Sequence, residues 1–255
     1  MNTFVRKDSI VRKIWGKSDT VLFIFAGASA EFALNKAVNW LYFTGRLPAD
    51  PLERLFSTVT YAQRIIFMPY EQSIAAISDI RAAHAAVEKK RGQNIPQWSY
   101  RDVLYMLISY SITVYELLER KLSEAEKEEV YNVFCRVGLL MGIQKLPETY
   151  SEWLPDRDLH LQQDLGRSHY TLDLYKQYRK HLGPIRYWLL LQVQQLICPA
   201  QVKHLLNLKM NPLIPPAFVL YKMTRRLRAD TLVKALFLPG AYKQQIRRLN
   251  MAPLT

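Results

Sequence analysis

His84 is the side chain whose type and spacing most directly predict chemistry in this chain. It follows Ile77 and Ile80 and precedes Val87 at steps of three, four and three residues, the spacing of one face of an α-helix. We therefore expect the imidazole to point inward among aliphatic neighbours. A buried neutral imidazole is costly unless its nitrogens have partners, and the partner is either a group of the fold or a metal ion. The spacing alone leaves both interpretations open.

Arg54 and Thr58 form a second pair of interest. Their spacing of four residues places a guanidinium and a hydroxyl on one face of a helix that begins after Asp50-Pro51, an N-cap followed by a proline in the first turn. A helical threonine most often bonds its own backbone, and an arginine most often pairs with a nearby acid. The pair gains weight because the His84 helix follows it directly along the chain.

The sequence contains none of the familiar catalytic signatures. It has no glycine-rich phosphate loop, and no HExxH, GxSxG or CxxC motif. The acid-rich run from Glu124 to Glu129 starts a helix, where carboxylates complement the helix dipole, so a solvated face is expected there. We expect no metal-ligand partner three or four residues from the other histidines, and we assign no site role to His160, His169, His181 and His204.

Helix signals recur along the chain, and strand-like alternation is scarce. With only 9 glycines among 255 residues, the pattern favours an all-α fold. We expect a single globular domain of roughly ten helices over residues 1–255. The predicted boundaries are helix starts at Ser123 with Glu126 and at Ser99 with Asp102, a helix from near Pro69 to Gly92, and two helical pieces within 20–43 hinged near Gly27.

Composition bounds the class of protein. Hydrophobic residues make up 49% of the chain, so a packed core is expected. Cys135 and Cys198 are far apart and form no CxxC, which argues against a disulfide framework or a cysteine zinc site and favours a reducing compartment. The most apolar stretches, 21–30 and 187–197, are shorter than the ~20 residues of a membrane-spanning helix. We therefore expect a cytoplasmic protein.

Positive charge is concentrated near the end of the sequence. The formal net charge is +13, and residues 201–255 contribute ten basic residues against one acid, a net of +9. Apolar stripes with cationic rims in this region fit an amphipathic surface helix, which is the commonest outcome. Peripheral contact with an anionic membrane ranks second. No nucleic-acid partner is expected, because no recognised DNA- or RNA-binding signature accompanies the charge.

The order and spacing of five short segments of the sequence carry a family resemblance. They are Gly27-Ala28-Ser29-Ala30, then Asp50-Pro51-Leu52-Glu53-Arg54-Leu55 with Thr58, then Ile80-Arg81-Ala82-Ala83-His84, then Trp98-Ser99-Tyr100-Arg101-Asp102, and Val137-Gly138-Leu139-Leu140-Met141-Gly142-Ile143. Their order and spacing resemble the family of the oxygenase MpaB and the latex-clearing protein, a rubber oxygenase. The resemblance covers most of the chain up to Trp153.

The resemblance implies an all-α, rubber-oxygenase-like fold around haem b. It implies that His84 is the proximal iron ligand and that Arg54 and Thr58 lie beside the haem. The rubber-cleaving members use O2 to split carbon–carbon double bonds, so a hydrophobic, unsaturated substrate is implied. A guanidinium binds a carboxylate bidentately, so Arg54 or Arg81 is expected to hold a haem propionate. Tyr110 is expected to line the pocket.

Three features depart from the family pattern. Ser57 stands where some members place a lysine as second axial ligand, and serine cannot ligate iron in that way. Val38 lies in a segment, residues 35–39, where many members have a glutamine, a histidine and a proline. Tyr110 stands where many members carry a histidine.

Two hypotheses follow from these observations. The first is a haem b-dependent oxygenase-like enzyme that acts with O2 on a hydrophobic substrate, with Arg54 and Thr58 as its catalytic pair. The second is a non-catalytic helical relative that keeps the scaffold and binds lipid or haem, or docks peripherally on anionic membranes through the basic segment 201–255.

Overall fold

The computed structural model describes residues 2–43, 45 and 50–226. Within these ranges the chain is helical and contains no β-strand, so the all-α, single-domain prediction is confirmed. The helices are α1 Ile10–Trp15, α2 Ser18–Leu34, α3 Asn39–Phe43, α4 Pro51–Phe67, α5 Tyr70–Arg91, α6 Gln97–Leu118, α7 Glu124–Leu140, α8 Tyr150–Gln163, α9 His169–Ile197, α10 Ala200–Leu206 and α11 Ile214–Arg226.

Helix α2 lies at the centre of the fold. It packs most extensively against α6 and α9, and it also contacts α1 and α10. Twelve of its 17 residues are buried, including the acids Asp19 and Glu31. A helix enclosed by neighbours has no solvent face, so its sequence is apolar nearly all round.

The predicted hinge near Gly27 is wrong. Helix α2 runs unbroken to Leu34, and the chain leaves the helical conformation at Asn35 instead. Gly27 serves close packing: a Cβ added there would lie 2.4 Å from Cε1 of the Tyr110 ring on α6. The missing side chain therefore lets two central helices approach each other.

The local signals for α4 and α7 are confirmed. Asp50 Oδ1 accepts hydrogen bonds from the backbone N–H groups of Leu52 and Glu53 at 3.0 and 2.9 Å. Ser123 and Glu126 exchange the two bonds of a capping box at the start of α7. Each cap satisfies backbone donors that have no partner within the helix.

The predicted start of α6 at Ser99 is wrong. The helix begins at Gln97 after Pro96, and the Ser99 hydroxyl donates to the Pro96 carbonyl at 2.8 Å from within the first turn. Asp102 is therefore not part of a capping box. It is buried and faces α8.

Helix α5 has its fully buried residues near its start. It begins after Pro69 and ends at Gly92, whose left-handed conformation (φ 70°) closes the last turn as predicted. Its buried residues are Ser73, Ala76 and Ile77. The later turns expose four alanines, at positions 82, 83, 85 and 86. The second half of α5 therefore presents a smooth face of small side chains.

The remaining predictions concern cysteines, membrane spans and the basic segment. Cys135 and Cys198 are both buried and free. Among the described residues, no helix is both long enough and apolar enough to cross a bilayer. Residues 227–255, which carry part of the basic segment, lie outside the described residues.

Replacing Gly27 with alanine is expected to lower the free energy of unfolding by about 1–3 kcal/mol, because the new methyl group overlaps the Tyr110 ring. Gly166→Ala is the matched control, since a Cβ there meets only Lys36 Cε at 3.8 Å. Urea unfolding followed by circular dichroism measures both variants. Equal stability of Gly27→Ala and the parent chain would contradict this packing.

Candidate functional site

His84 lies half-buried on α5, with its ring edge-on to that of Tyr100 on α6 at a centroid distance of 5.2 Å. Its Nδ1 atom is buried and has no hydrogen-bond partner. Burial and then the positive charge of Arg54 lower the pKa of His84, while Glu88 acts in the opposite direction. The imidazole is therefore neutral at pH 7, which is the state that binds a metal.

Arg54 and Thr58 lie on α4, which packs against α5. Arg54 is exposed, and its charge reaches His84, so the two helices bring the predicted residues together. The Thr58 hydroxyl donates to the Arg54 carbonyl at 3.0 Å, and Ser57 does the same at 2.8 Å. The ordinary backbone bond of a helical threonine is thus present, and a ligand that needs this hydrogen must compete with it.

The other two predicted cofactor contacts have different surroundings. Arg81 is exposed and lies one turn before His84 on α5. Tyr110 is fully buried on α6, about 15 Å along the helix axis from Tyr100. Its hydroxyl donates to Glu31 at 3.1 Å, so it has a partner within the protein. Contact between Tyr110 and a cofactor stays a prediction.

Glu31 and Arg157 form an ion pair in the interior that sequence reasoning did not predict. Both terminal nitrogens of Arg157 donate to the Glu31 carboxylate at 2.6 Å, and the two side chains are 5% and 1% exposed. Burial lowers the pKa of Arg157, but the charge and hydrogen bonds of Glu31 raise it by more. Arg157 therefore remains charged, and its bidentate contact with Glu31 joins α8 to α2.

Cys198 lies beside this ion pair. Its Sγ is 3.6 Å from the Tyr110 hydroxyl, and burial raises the pKa of the thiol to about 12. A thiol is nucleophilic only as the thiolate, so Cys198 is inert at neutral pH. The cluster around Glu31 is accordingly a structural one.

An apolar pocket of about 100 Å³ lies between α2, α4 and α9. Its walls include Leu22, Phe25, Leu52 and Leu182, with Arg186 at its polar end. Pockets for whole organic ligands usually measure about 300–1,000 Å³, so this one is too small for a porphyrin. It adjoins the first turn of α4, the helix that carries Arg54, and it suits part of an apolar chain.

A second group of side chains has metal-binding chemistry, and one of its members follows Tyr100 by two residues on α6. Asp102 of α6, His160 of α8 and Asp164 at the end of α8 bring three ligand atoms within 4.8 Å of one another. We call them the Asp–His–Asp cluster. The interpretation that His160 has no ligand three or four residues away is wrong, because Asp164 follows it by four. That spacing was the signal available in the sequence.

The helical architecture defines the class as an all-α, single-domain protein, with the His84 imidazole on one helix near Arg54 of the preceding helix. The chain belongs to the family described as ER-bound oxygenase mpaB/B'/Rubber oxygenase, catalytic domain, whose profile matches residues 13–252. This confirms the resemblance drawn from the five sequence segments. No curated protein and no solved structure matches the chain.

Removing one partner of the buried ion pair is expected to destabilise the fold strongly. Glu31→Gln or Arg157→Met leaves the other group buried without its partner, at a cost of about 3–5 kcal/mol in the free energy of unfolding. The double variant is expected to lose much less than the sum of the single losses. Urea unfolding of all three measures this, and additive losses would contradict it.

The exposed pair of Arg120 and Glu126 is the matched control for that experiment. It is also bidentate, with N–O distances of 2.8 and 2.6 Å, but it lies at the surface. Arg120→Ala is therefore expected to change stability far less than either buried substitution.

Proposed function

We propose that this chain is a haem b-dependent oxygenase-like enzyme that acts with O2 on a hydrophobic, unsaturated substrate. The observation that carries the proposal is the His84 imidazole, which is neutral, has an unpartnered buried Nδ1 and lies near a cationic Arg54. Membership of an oxygenase family supports the reaction class. The bound haem and the hydrophobic substrate are what we propose beyond family membership.

The side chains around His84 suit a haem in three respects. The imidazole is in the state that binds iron, and it lies in partly apolar surroundings. The Tyr100 ring, edge-on to the imidazole, supplies an aromatic neighbour for a flat ring bound at His84. Arg54, and Arg81 one turn from His84, offer cations for the anionic propionates. A bound haem would supply the activation of O2, and the protein would supply ligation and orientation.

Each residue of the site has a distinct proposed role. His84 ligates the iron, and Arg54 binds a propionate. Thr58 lies one turn after Arg54 on the same face of α4, and its hydrogen is engaged by the Arg54 carbonyl. Its oxygen therefore orients a neighbouring group as an acceptor, and it is not a proton donor in this arrangement. Ser57 has no group that would ligate the iron of a bound haem, so α4 would supply no ligand from that position.

The apolar pocket supports a hydrophobic substrate. It is walled mainly by leucine and phenylalanine side chains and touches the start of α4 through Pro51 and Leu52. An apolar chain bound there would end close to the turn that carries Arg54. Burial of such a chain is favourable because it removes apolar surface from water.

His84→Ala is expected to abolish the haem absorption band, or to weaken haem affinity at least tenfold, because iron ligation is lost. The measurement is the Soret spectrum and pyridine haemochrome of purified chain reconstituted with haem. His204→Ala is the matched control, because His204 is exposed on α10 and should leave the spectrum unchanged. A parent chain that shows no Soret band after reconstitution would end the haem proposal.

A second candidate function is peripheral docking on anionic membranes, and α11 is the observation that favours it. Phe218 and Tyr221 pack on Phe23 of α2 with ring centroids 6.3 Å apart, so one face of α11 is held by the core. The opposite face exposes Val219, Leu220 and Met223 at 58–62%. Lys222 lies between them in the sequence. An outward apolar face with basic neighbours is the composition that binds anionic lipid surfaces.

Co-sedimentation with vesicles tests the docking surface. The parent chain is expected to bind vesicles rich in phosphatidylserine and not neutral ones, with binding that weakens as salt is raised. Leu220→Ser should weaken it several-fold. Leu139→Ser is the matched control, because Leu139 is also 62% exposed but lies on α7. No binding to anionic vesicles at low salt would eliminate this candidate.

A further inference from the structure

The Asp–His–Asp cluster is built from three parts of the fold. His160 Nδ1 lies 2.6 Å from Asp102 Oδ1 and 2.7 Å from Asp164 Oδ2. The Asp102 and His160 side chains are 3% and 7% exposed, whereas Asp164 is 18% exposed. Two carboxylates and one imidazole nitrogen therefore converge at a point that solvent can reach only from the Asp164 side.

The polar atoms of the cluster are only partly satisfied by one another. Both contacts are short ion pairs, but the imidazole N–H is poorly aligned with either carboxylate oxygen, so His160 Nδ1 and Asp102 Oδ1 have no well-aligned hydrogen-bond partner. A ring nitrogen carries at most one hydrogen, which cannot serve two carboxylates equally. Buried polar atoms without partners are costly, and most have a partner that explains them. A cation coordinated by all three atoms would satisfy them at once after the side chains move apart, because the ligand atoms of a tetrahedral zinc lie about 3.3 Å from one another.

One side chain outside the cluster fixes a carboxylate of the cluster. Asn35 Nδ2 donates to the other oxygen of Asp102 at 2.6 Å, which fixes that carboxylate. The second nitrogen of His160, Nε2, lies 4.0 Å from Asp156 Oδ1, and Asp156 is itself held by the Tyr105 hydroxyl at 2.5 Å. A histidine that ligates a metal through one nitrogen commonly donates the other N–H to a carboxylate. Asp156 is the carboxylate nearest to Nε2, although 4.0 Å is beyond hydrogen-bond distance.

We propose that Asp102, His160 and Asp164 bind a divalent transition-metal cation, with Zn²⁺ as the best match. One imidazole nitrogen and two carboxylate oxygens form a mixed ligand set that suits zinc, and two negative charges balance the ion. Three protein ligands leave a fourth position for water on the exposed side of Asp164. The ion would link α6 to the C-terminal end of α8. This position is next to Asn35, where α2 ends.

The test is a zinc titration of the full chain after chelator treatment, in the absence of haem. The parent chain is expected to bind one Zn²⁺ per molecule and to gain thermal stability with it, measured by competition with a chromophoric chelator and by the melting temperature. Asp164→Asn should weaken zinc binding at least tenfold. Asp158→Asn, on the same helix but exposed and outside the cluster, should bind zinc as the parent does.

Two further measurements make the result decisive. The titration is repeated with His84→Ala, which should bind zinc unchanged, so that failure of the haem proposal and failure of the zinc proposal are distinguishable. X-ray absorption of the zinc-loaded parent should show oxygen and nitrogen ligands that include one imidazole, and it needs no variant that folds. A parent that binds no zinc, or an Asp164→Asn chain that binds it equally, overturns the proposal and leaves a cluster of hydrogen-bonding groups.

Discussion

The buried ion pair of Glu31 and Arg157 is the constraint on which the rest of this fold depends. Two charges in an interior are tolerated only when they are paired closely, because each is costly to bury alone. The bidentate contact provides the pairing, and Tyr110 adds a third donor to the carboxylate. These residues come from α2, α8 and α6. The pair therefore ties together side chains from three helices at one point in the interior.

The local part of the fold could be read from the sequence, because its causes are local. Asp50, Ser123 and Gly92 end or begin helices through bonds to residues within a few positions of them, so the composition of a short window was sufficient. Gly27 and Ser99 were misread for the opposite reason. Gly27 is glycine because of an aromatic ring on another helix, and Ser99 follows a proline that had already started the helix.

The same distinction explains what could be predicted of the site. His84 and Arg54 lie on successive helices that pack on each other, so their order along the chain implied their proximity. The partners Glu31 and Arg157 are 126 positions apart, and no spacing rule connects them. Asp164, four residues after His160, was within reach of sequence reasoning. Asp102 was not, because only the packing of α6 on α8 brings it to the imidazole.

Helix α5 combines a fixed position with an uncovered face, and this combination suits a binding helix. Its first turns are anchored by Ala76 and Ile77 in the core. Its far end is held by Arg91, whose guanidinium lies 3.9 Å from the centroid of the Trp40 ring, a favourable cation–π contact. His84 lies between these two anchors, on the stretch that exposes alanines. Since apolar burial stabilises a helix more than propensity does, this stretch gains little from the protein itself. A ligand bound at His84 would add contacts to this stretch, so ligand binding and the local stability of α5 should rise together.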